Sequence, residues 1–281
     1  MKVVNILVAG LFLWSLAACS NDVDFGEQYK KVIYLVNSKE KVYYAPHQPE
    51  EASPGSISVY CGGSKAPGGD ILVKCRLDEE VLATYNQNEF GDKTERYFLL
   101  VPSDRITIES TDVVIKKGEE YGCMNFKINT LGLPPDRVYV LPVTIESASG
   151  YEIDDKQSTI IYVVRVQNEY AGDYSSTYKV GTASMNSRTK TAMAMTAKQI
   201  LVPIGANSNE ASYETGFFLI QLEEDNSLTL LPYLQTVVEA LPKAGKRTNY
   251  YDPETKTFYL YYRMKDQWDD WATVDETLIK M

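Results

Sequence analysis

The chain has 281 residues, with 38 acidic and 28 basic side chains, which gives a formal net charge of −10. An acidic chain repels phosphate backbones, so the composition argues against nucleic-acid binding and against a polybasic contact with a membrane surface. The length is sufficient for two domains that each have a hydrophobic core.

Residues 1–18 predict a secretory signal peptide. Lys2 precedes an apolar run from Ile6 to Leu16, which is too short for a membrane-spanning helix but has the length of a signal-peptide core. The tetrad Leu16-Ala17-Ala18-Cys19 resembles the bacterial lipobox. This resemblance implies cleavage before Cys19 and acylation of its thiol. An ordinary signal peptide with an incidental cysteine is the alternative.

Residues 19–30 are predicted to be an acidic tether. Asn21, Asp22 and Asp24 closely follow Cys19, and acidic residues at this place resemble the export signal of Bacteroidetes lipoproteins displayed on the outer surface. Each buried acyl methylene contributes about 0.8 kcal/mol, so several chains on one residue anchor firmly. We therefore expect a protein at the outer membrane that faces the cell exterior and touches the membrane through its lipid anchor only. A periplasm-facing lipoprotein is the alternative.

Three cysteines remain once Cys19 is acylated, and an odd number leaves at least one free thiol. Cys61 and Cys75 flank a glycine-rich turn and could form a disulfide across a hairpin. The alternative, which we favour, is that they are two small buried hydrophobic residues. None of the cysteines has the CxxC or histidine-containing spacing of a zinc site, so no metal and no cofactor are predicted.

About eight short strands are predicted in residues 31–167. A helix is expected at Glu79–Gln87, and a proline-rich loop at 37–55 holds one short edge strand. Strands at this spacing, separated by turn signals, are typical of an antiparallel β-sandwich. The predicted strands are Lys31–Val36, Ser56–Cys61, Asp70–Asp78, Tyr97–Val101, Asp112–Ile115, Met124–Ile128, Val138–Ile145 and Thr159–Val166.

Several runs in this region occur in the order found in a known Ig-like domain. They include Ile57-Ser-Val-Tyr-Cys-Gly-Gly63, Tyr97-Phe-Leu-Leu-Val-Pro102 and Tyr139-Val-Leu-Pro-Val-Thr-Ile145. The sequence resembles an Ig-like family of unknown function that occurs in Bacteroidetes surface lipoproteins encoded with glycan-utilisation systems. The same family precedes the catalytic domain in some surface endo-glycosidases. The resemblance implies an Ig-like sandwich at the cell surface, with a departure at Cys61, where a small polar residue is expected.

Residues 170–281 are predicted to form a second, smaller all-β domain. Tyr170-Ala-Gly-Asp-Tyr174 resembles the opening of the β-rich C-terminal domain that often accompanies the first. Six or more alternating strands in this length predict a small barrel or sandwich. The candidates are Tyr178–Ala183, Thr191–Thr196, Ile200–Ile204, Phe217–Leu222, Ser227–Leu231 and Thr257–Arg263.

Aromatic residues are concentrated near the end of the chain. In the run Phe258–Tyr262, strand alternation directs Phe258, Leu260 and Tyr262 to one face and the other two tyrosines to the opposite face. Flat rings stack under the C–H face of a pyranose, while carboxylates and amides bind its hydroxyls. A structural role, with both tryptophans folded back as a cap on the barrel, is the alternative. The predicted ligand contacts are Trp268, Trp271, Tyr259, Tyr261, Tyr250, Tyr251 and Asp269.

Catalysis has little support in the sequence. His47, the only histidine, lies in the proline-rich loop without a nucleophile signature and is expected to be solvent-exposed. We therefore predict a non-catalytic, lipid-anchored accessory protein that binds oligosaccharide or polysaccharide for a glycan-utilisation system, with the Ig-like domain as a spacer. The alternatives are an interaction protein of an outer-membrane transporter complex and a glycoside hydrolase, which would need paired carboxylates in a cleft.

Overall fold

The structure is a computed structural model that describes residues 29–245, 247–266 and 268–281. The predicted signal peptide, Cys19 and most of the acidic tether lie outside the described residues. No helix within the described ranges has the length and apolar character to cross a membrane.

The N-terminal part of the chain is built almost entirely from strands, as the alternation of apolar and polar residues predicts. In the third strand, for example, Ile57, Val59 and Cys61 are buried and the residues between them are not. The strands are β1 (Val32–Leu35), β2 (Val42–His47), β3 (Ser53–Gly62), β4 (Ile71–Leu77), β5 (Leu99–Leu100), β6 (Ile106–Ile108), β7 (Asp112–Ile115), β8 (Tyr121–Ile128), β9 (Tyr139–Ala148), β10 (Glu152–Ile153) and β11 (Thr159–Val166).

These strands form two sheets that pack face to face, which confirms the predicted sandwich. The first sheet has the order β10-β1-β3-β8-β6, and the second has the order β2-β11-β9-β4-β7, with β5 beside β9. Side chains from both sheets fill one core, including Ile33, Phe126, Val143 and Tyr162. The sandwich is not purely antiparallel, because β10 pairs with β1, β2 with β11 and β5 with β9 in parallel.

The predicted helix is present as α1 (Glu79–Phe90), followed by 3₁₀ turns at Thr94–Arg96 and Ser103–Arg105. Asp78 caps its first turn by accepting a hydrogen bond from the Val81 amide. Leu82 of the helix packs with Phe98 against the outer face of the second sheet. The helix therefore covers part of that face and leaves the rest free for contact with other parts of the molecule.

Cys61 and Cys75 are separate buried thiols, so the disulfide alternative is contradicted and the alternative of two small buried residues is confirmed. Their strands belong to different sheets, and both side chains pack in the common core. Burial raises the pKa of Cys75 to about 11, so this thiol stays protonated and unreactive at neutral pH.

The C-terminal part forms a curled sheet around a second core, as predicted. Its strands are β12 (Gly172–Val180), β13 (Asn186–Thr196), β14 (Gln199–Pro203), β15 (Phe217–Leu222), β16 (Leu228–Pro232), β17 (Val238–Ala240), β18 (Tyr250–Asp252), β19 (Thr257–Lys265) and β20 (Trp271–Lys280).

The sheet order is β16-β15-β14-β13-β12-β20-β19-β17, with β18 also paired to β19. A bridge between Ser227 and Tyr250 joins the two ends, so the sheet is nearly closed as a barrel. Phe218, Phe258 and Leu278 are among the side chains that fill its interior. We refer to the two parts as the sandwich and the barrel.

Candidate functional site

Most of the predicted aromatic residues share the outer face of the barrel. In β19, Phe258, Leu260 and Tyr262 are buried, as the alternation predicts, while Tyr259 and Tyr261 are only half-buried. The neighbouring strands β18 and β20 add rings to the outer side. The residues that lie on this face are Tyr250, Tyr259, Tyr261 and Trp271.

These outer rings already have partners on one of their faces. The rings of Tyr250 and Tyr259 stack at 4.8 Å with an angle of 13° between their planes. The guanidinium of Arg247 lies 4.6 Å from the centre of the Tyr250 ring, in cation–π geometry. Tyr250 therefore has both a stacked ring and a cation as partners, whereas Tyr259 has the stacked ring.

The other two outer rings are covered by cations in the same way. Lys243 lies 5.1 Å from the centre of the Tyr261 ring, and Arg263 lies 4.2 Å from that of Trp271. Trp271 is 41% exposed. Both cations are also ion-paired, Lys243 with Asp275 and Arg263 with Glu239. The outer face thus offers ring edges to a ligand, and displacement of a cation would free a ring face.

Trp268 differs from the outer rings because it is 74% exposed in the turn between β19 and β20. Asp266 fixes this turn: its Oδ1 accepts hydrogen bonds from the Trp268 amide at 2.9 Å and the Asp270 amide at 3.0 Å. Lys265 forms an ion pair with Asp269 at 3.3 Å. The indole of Trp268 is therefore presented to solvent and is not folded back over the barrel.

The prediction is wrong for Tyr251, which is buried in the barrel core. Its ring centre lies 4.6 Å from that of Phe258 and 5.3 Å from that of Tyr170. Tyr251 pairs with Phe258 across β18 and β19, so the alternation that exposes Tyr250 turns Tyr251 inward. Its burial and its ring contacts remove it from any ligand surface.

His47 is also misplaced by the sequence prediction, because it is buried in β2 and not exposed in a loop. Its Nδ1 lies 2.9 Å from Ser53 Oγ and its Nε2 lies 2.9 Å from the Tyr162 hydroxyl. Burial lowers the pKa of His47. The imidazole joins the two sheets of the sandwich and has no access to a substrate, so we assign it a structural role.

A buried ion pair in the barrel is absent from the sequence prediction. Lys190 Nζ donates to Glu276 Oε1 at 2.5 Å and to the carbonyl oxygens of Pro203 and Gly205 at 2.8 and 2.7 Å. Ser176 donates to the same carboxylate at 2.7 Å.

The hydroxyl of Tyr262 completes this cluster. It donates to Glu276 Oε2 at 2.9 Å and accepts from the Gly205 amide at 2.9 Å. Burial and the Glu276 charge raise the pKa of Tyr262 well above its ordinary value. Every acceptor and donor around the pair is used, which leaves the cluster no group to offer a ligand. One sequence pattern could have revealed this buried charge: in Val274-x-Glu276-x-Leu278, Glu276 stands between two apolar residues on the face of the strand that turns inward.

A cavity with a volume of about 600 Å³ lies between the sandwich and the barrel. Its walls are β2 and β11 of the sandwich, the segment 133–139, the connection at 166–172, and β13 with Lys280 of the barrel. We call it the interdomain cleft. No group of three or more metal-ligating side chains is found in the described parts of the chain.

Two protein-family models match this chain, one in each domain. A family model for an N-terminal domain matches residues 29–152, and a family model for a C-terminal domain matches residues 158–279. The chain therefore belongs to a two-domain all-β class and joins a member of the N-terminal family to a member of the C-terminal family. A comparison with curated proteins found no match.

Solved structures from Bacteroides share the fold of both domains. A Bacteroides ovatus protein of unknown function is 14% identical with a TM-score of 0.67, over 88% of this chain and 93% of that one. An auxiliary nutrient binding protein from Bacteroides thetaiotaomicron is 14% identical with a TM-score of 0.65, over 86% and 91%. A multidomain protein including DUF1735 from Bacteroides ovatus is 16% identical with a TM-score of 0.61, over 84% and 88%.

Proposed function

We propose that this protein is a non-catalytic binding protein that captures oligosaccharides at the cell surface for a glycan-utilisation system. The observation that carries the proposal is the solvent-exposed indole of Trp268, whose backbone amide donates a hydrogen bond to Asp266. A ligand that covers the exposed indole would remove its apolar area from water, which is favourable. The fold shared with an auxiliary nutrient binding protein supports the same interpretation.

The surroundings of Trp268 suit a sugar. The indole offers a flat ring for the C–H face of a pyranose, and the exposed Asp269 carboxylate beside it accepts hydrogen bonds from hydroxyl groups. A shallow site of this kind buries little area, so we expect modest affinity for a single oligosaccharide. Many copies on one cell surface would raise the effective affinity for a polymer.

The cell-surface part of the proposal rests on the sequence. Cys19 would carry the lipid anchor, with residues 19–30 as the tether. The acidic residues after Cys19 favour display on the cell exterior. Palmitate labelling of the cells, with a Cys19→Ala control, tests the anchor, and protease treatment of intact cells tests the orientation.

The binding proposal is tested by titration calorimetry of the soluble chain from residue 20 against plant and host oligosaccharides. We expect Trp268→Ala to weaken binding of the best ligand at least about tenfold, because one stacked ring is a large part of a small site. Tyr121→Ala is the matched control, since Tyr121 is an exposed aromatic residue of the sandwich, whereas Trp268 belongs to the barrel. Absence of binding to every glycan, or unchanged binding by Trp268→Ala, would contradict the proposal.

A second candidate function is that of an interaction component of an outer-membrane transporter complex. The observation that favours it is the cross-strand pair Leu72 and Val114, both exposed on the outer face of β4 and the edge strand β7. Co-purification of the anchored protein with membrane partners, lost in Leu72→Asp and kept in Trp268→Ala, would support this function. Sugar release by the wild-type chain would instead support a hydrolase.

A further inference from the structure

The interdomain cleft has the size and position of a ligand site. Its volume of about 600 Å³ falls within the range of small-molecule pockets, which occur preferentially between domains. Residues from both domains line it, so a bound molecule would touch the sandwich and the barrel at once. The Trp268 turn is not part of its lining.

The charge of the cleft is opposite to that of the whole chain. Its lining contains three cationic side chains, Arg137, Arg165 and Lys280, and one carboxylate, Glu169. The chain as a whole has a net charge of −10. A positive cleft in an acidic protein attracts anions and disfavours cations by the same field.

Two of these cations are available to a ligand. Within the described ranges, the guanidinium of Arg165 forms no hydrogen bond and no ion pair. Lys280 Nζ donates to the Glu169 carbonyl oxygen at 2.6 Å, and its ammonium has further donors. Arg137 is partly engaged, since its side chain lies 3.8 Å from the Asp136 carboxylate and donates to the Glu95 carbonyl.

Tyr44 stands beside Arg165 on the same face of the second sheet. Tyr44 is opposite Val163 in the parallel pair of β2 and β11, and Arg165 follows two residues later. A ring and a guanidinium at this diagonal position are within reach of one ligand. Tyr44 is 55% exposed, so its ring is open on the cleft side.

We propose that the interdomain cleft is a second binding site, specific for anionic oligosaccharides. Tyr44 would stack on a sugar ring, and Arg165 would bind the acidic group through two parallel hydrogen bonds, which suits a carboxylate or a sulfate. Lys280 would add a second positive charge from the barrel. The inference rests on the proposed glycan-binding function and extends it, because the sandwich then contacts ligand and is more than a spacer.

The test compares matched charged and neutral probes by calorimetry on the chain from residue 20. The carboxylate pair is trigalacturonate and its full methyl ester, and the sulfate pair is a carrageenan tetrasaccharide and its desulfated form. We expect one charged probe to bind at least about tenfold more tightly than its neutral form, with affinity falling as sodium chloride is raised. Which pair shows the difference identifies the acidic group.

Variants then locate the binding. Arg165→Gln should weaken the charged probe about tenfold or more and leave the neutral probe unchanged, since a hydrogen bond to a charged group is lost. Lys280→Gln should give a smaller loss of the same kind. Lys127→Gln, which removes an exposed cation from the sandwich outside the cleft, is the matched control. Thermal melting of each variant checks that it is folded.

The outcomes separate this inference from the proposed function. Equal affinity for charged and neutral probes, or unchanged charged-probe binding in both cleft variants, overturns the cleft site even if Trp268→Ala still abolishes glycan binding. If the wild-type chain binds neither the neutral nor the charged glycans, both proposals fail.

Discussion

The sandwich and the barrel each enclose polar side chains, but among the described residues only the barrel encloses a fully buried ion pair. In the sandwich, the neutral imidazole of His47 lies between Ser53 and the hydroxyl of Tyr162. In the barrel, Lys190 and Glu276 lie on strands either side of β12 and are completely buried. Both clusters satisfy their hydrogen-bonding groups, so neither is a defect of its core.

The difference between them lies in what happens when one member is lost. A neutral partner that loses its hydrogen bond pays the desolvation of one polar group, about 1–3 kcal/mol. A buried charge that loses its counter-ion costs more, about 3–5 kcal/mol, because an unpaired charge is harder to desolvate than a neutral polar group. The barrel core therefore tolerates change at these positions only as a pair, whereas the sandwich core tolerates single substitutions.

The largest effect is expected for Lys190→Met. It leaves the Glu276 carboxylate buried without a counter-ion, so the free energy of unfolding of the barrel should fall by about 3–5 kcal/mol. Urea unfolding followed by tryptophan fluorescence measures this, since Trp268 and Trp271 both belong to the barrel.

The double variant Lys190→Met/Glu276→Leu is the control for that experiment. It removes both charges and should recover part of the loss. The rest remains because the Pro203 and Gly205 carbonyls lose their donor and the Ser176 and Tyr262 hydroxyls lose their acceptor. If the double variant is no more stable than Lys190→Met, the loss of stability does not come from an unpaired charge, and the proposed difference between the two cores is contradicted.

A smaller effect is expected for His47→Leu in the sandwich. It removes two neutral hydrogen bonds and should lower the free energy of unfolding by about 1–3 kcal/mol. Reaction of the buried thiols Cys61 and Cys75 with a maleimide, counted by mass spectrometry during urea unfolding, reports the sandwich alone. A loss as large as that of Lys190→Met would erase the contrast between the two cores.

The same residue predicts a pH dependence of the sandwich. Burial lowers the pKa of His47 from the ordinary value of 6.5, so the unfolded chain binds more protons than the folded one below that value. The stabilisation is present above pH 6.5 and is lost as the pH falls from there through the lowered pKa of His47 in the folded chain. Thiol-labelling midpoints at pH 7.5 and 5.5 should differ less in His47→Leu than in the wild-type chain.

The smallest effect is expected for Arg263→Gln on the outer face of the barrel. Arg263 forms an ion pair with Glu239, and both side chains are substantially exposed to water. Solvent screening limits such a pair to about 0–1 kcal/mol, so the free energy of unfolding should change by less than about 1 kcal/mol. A decrease in the free energy of unfolding of more than about 2 kcal/mol would contradict this prediction. It would show that solvent exposure does not make this ion pair weaker than the buried pair.

Alternation of apolar and polar residues predicted most strands, and helical spacing of apolar residues predicted the helix, because each pattern buries one face of its element. In the region of β2 the sequence predicted only a short edge strand, and Pro46 and Pro49 led us to place His47 in a loop. The parallel pairing of β2 with β11 depends on contacts across more than a hundred residues, and no local signal carries it.

The site was predictable only in part. Trp268 was predicted as a ligand contact, and its indole is exposed, whereas β20, which includes Trp271, was missed because Glu276 interrupts its apolar face. The burial of Tyr251 depends on its pairing with Phe258, and the interdomain cleft depends on how two domains meet. These are tertiary relations, which a linear pattern does not contain.

Both domains are completed by strands from their far ends. In the sandwich β2 lies beside β11, and in the barrel β12 pairs with β20, so that Tyr174 is opposite Lys280. Such non-local pairing slows folding to milliseconds or longer, because distant segments must meet first. A chain emerging from a ribosome or a translocation pore could thus finish the barrel only after its last strand had left, and until then its strand edges would be open to chaperones or to aggregation.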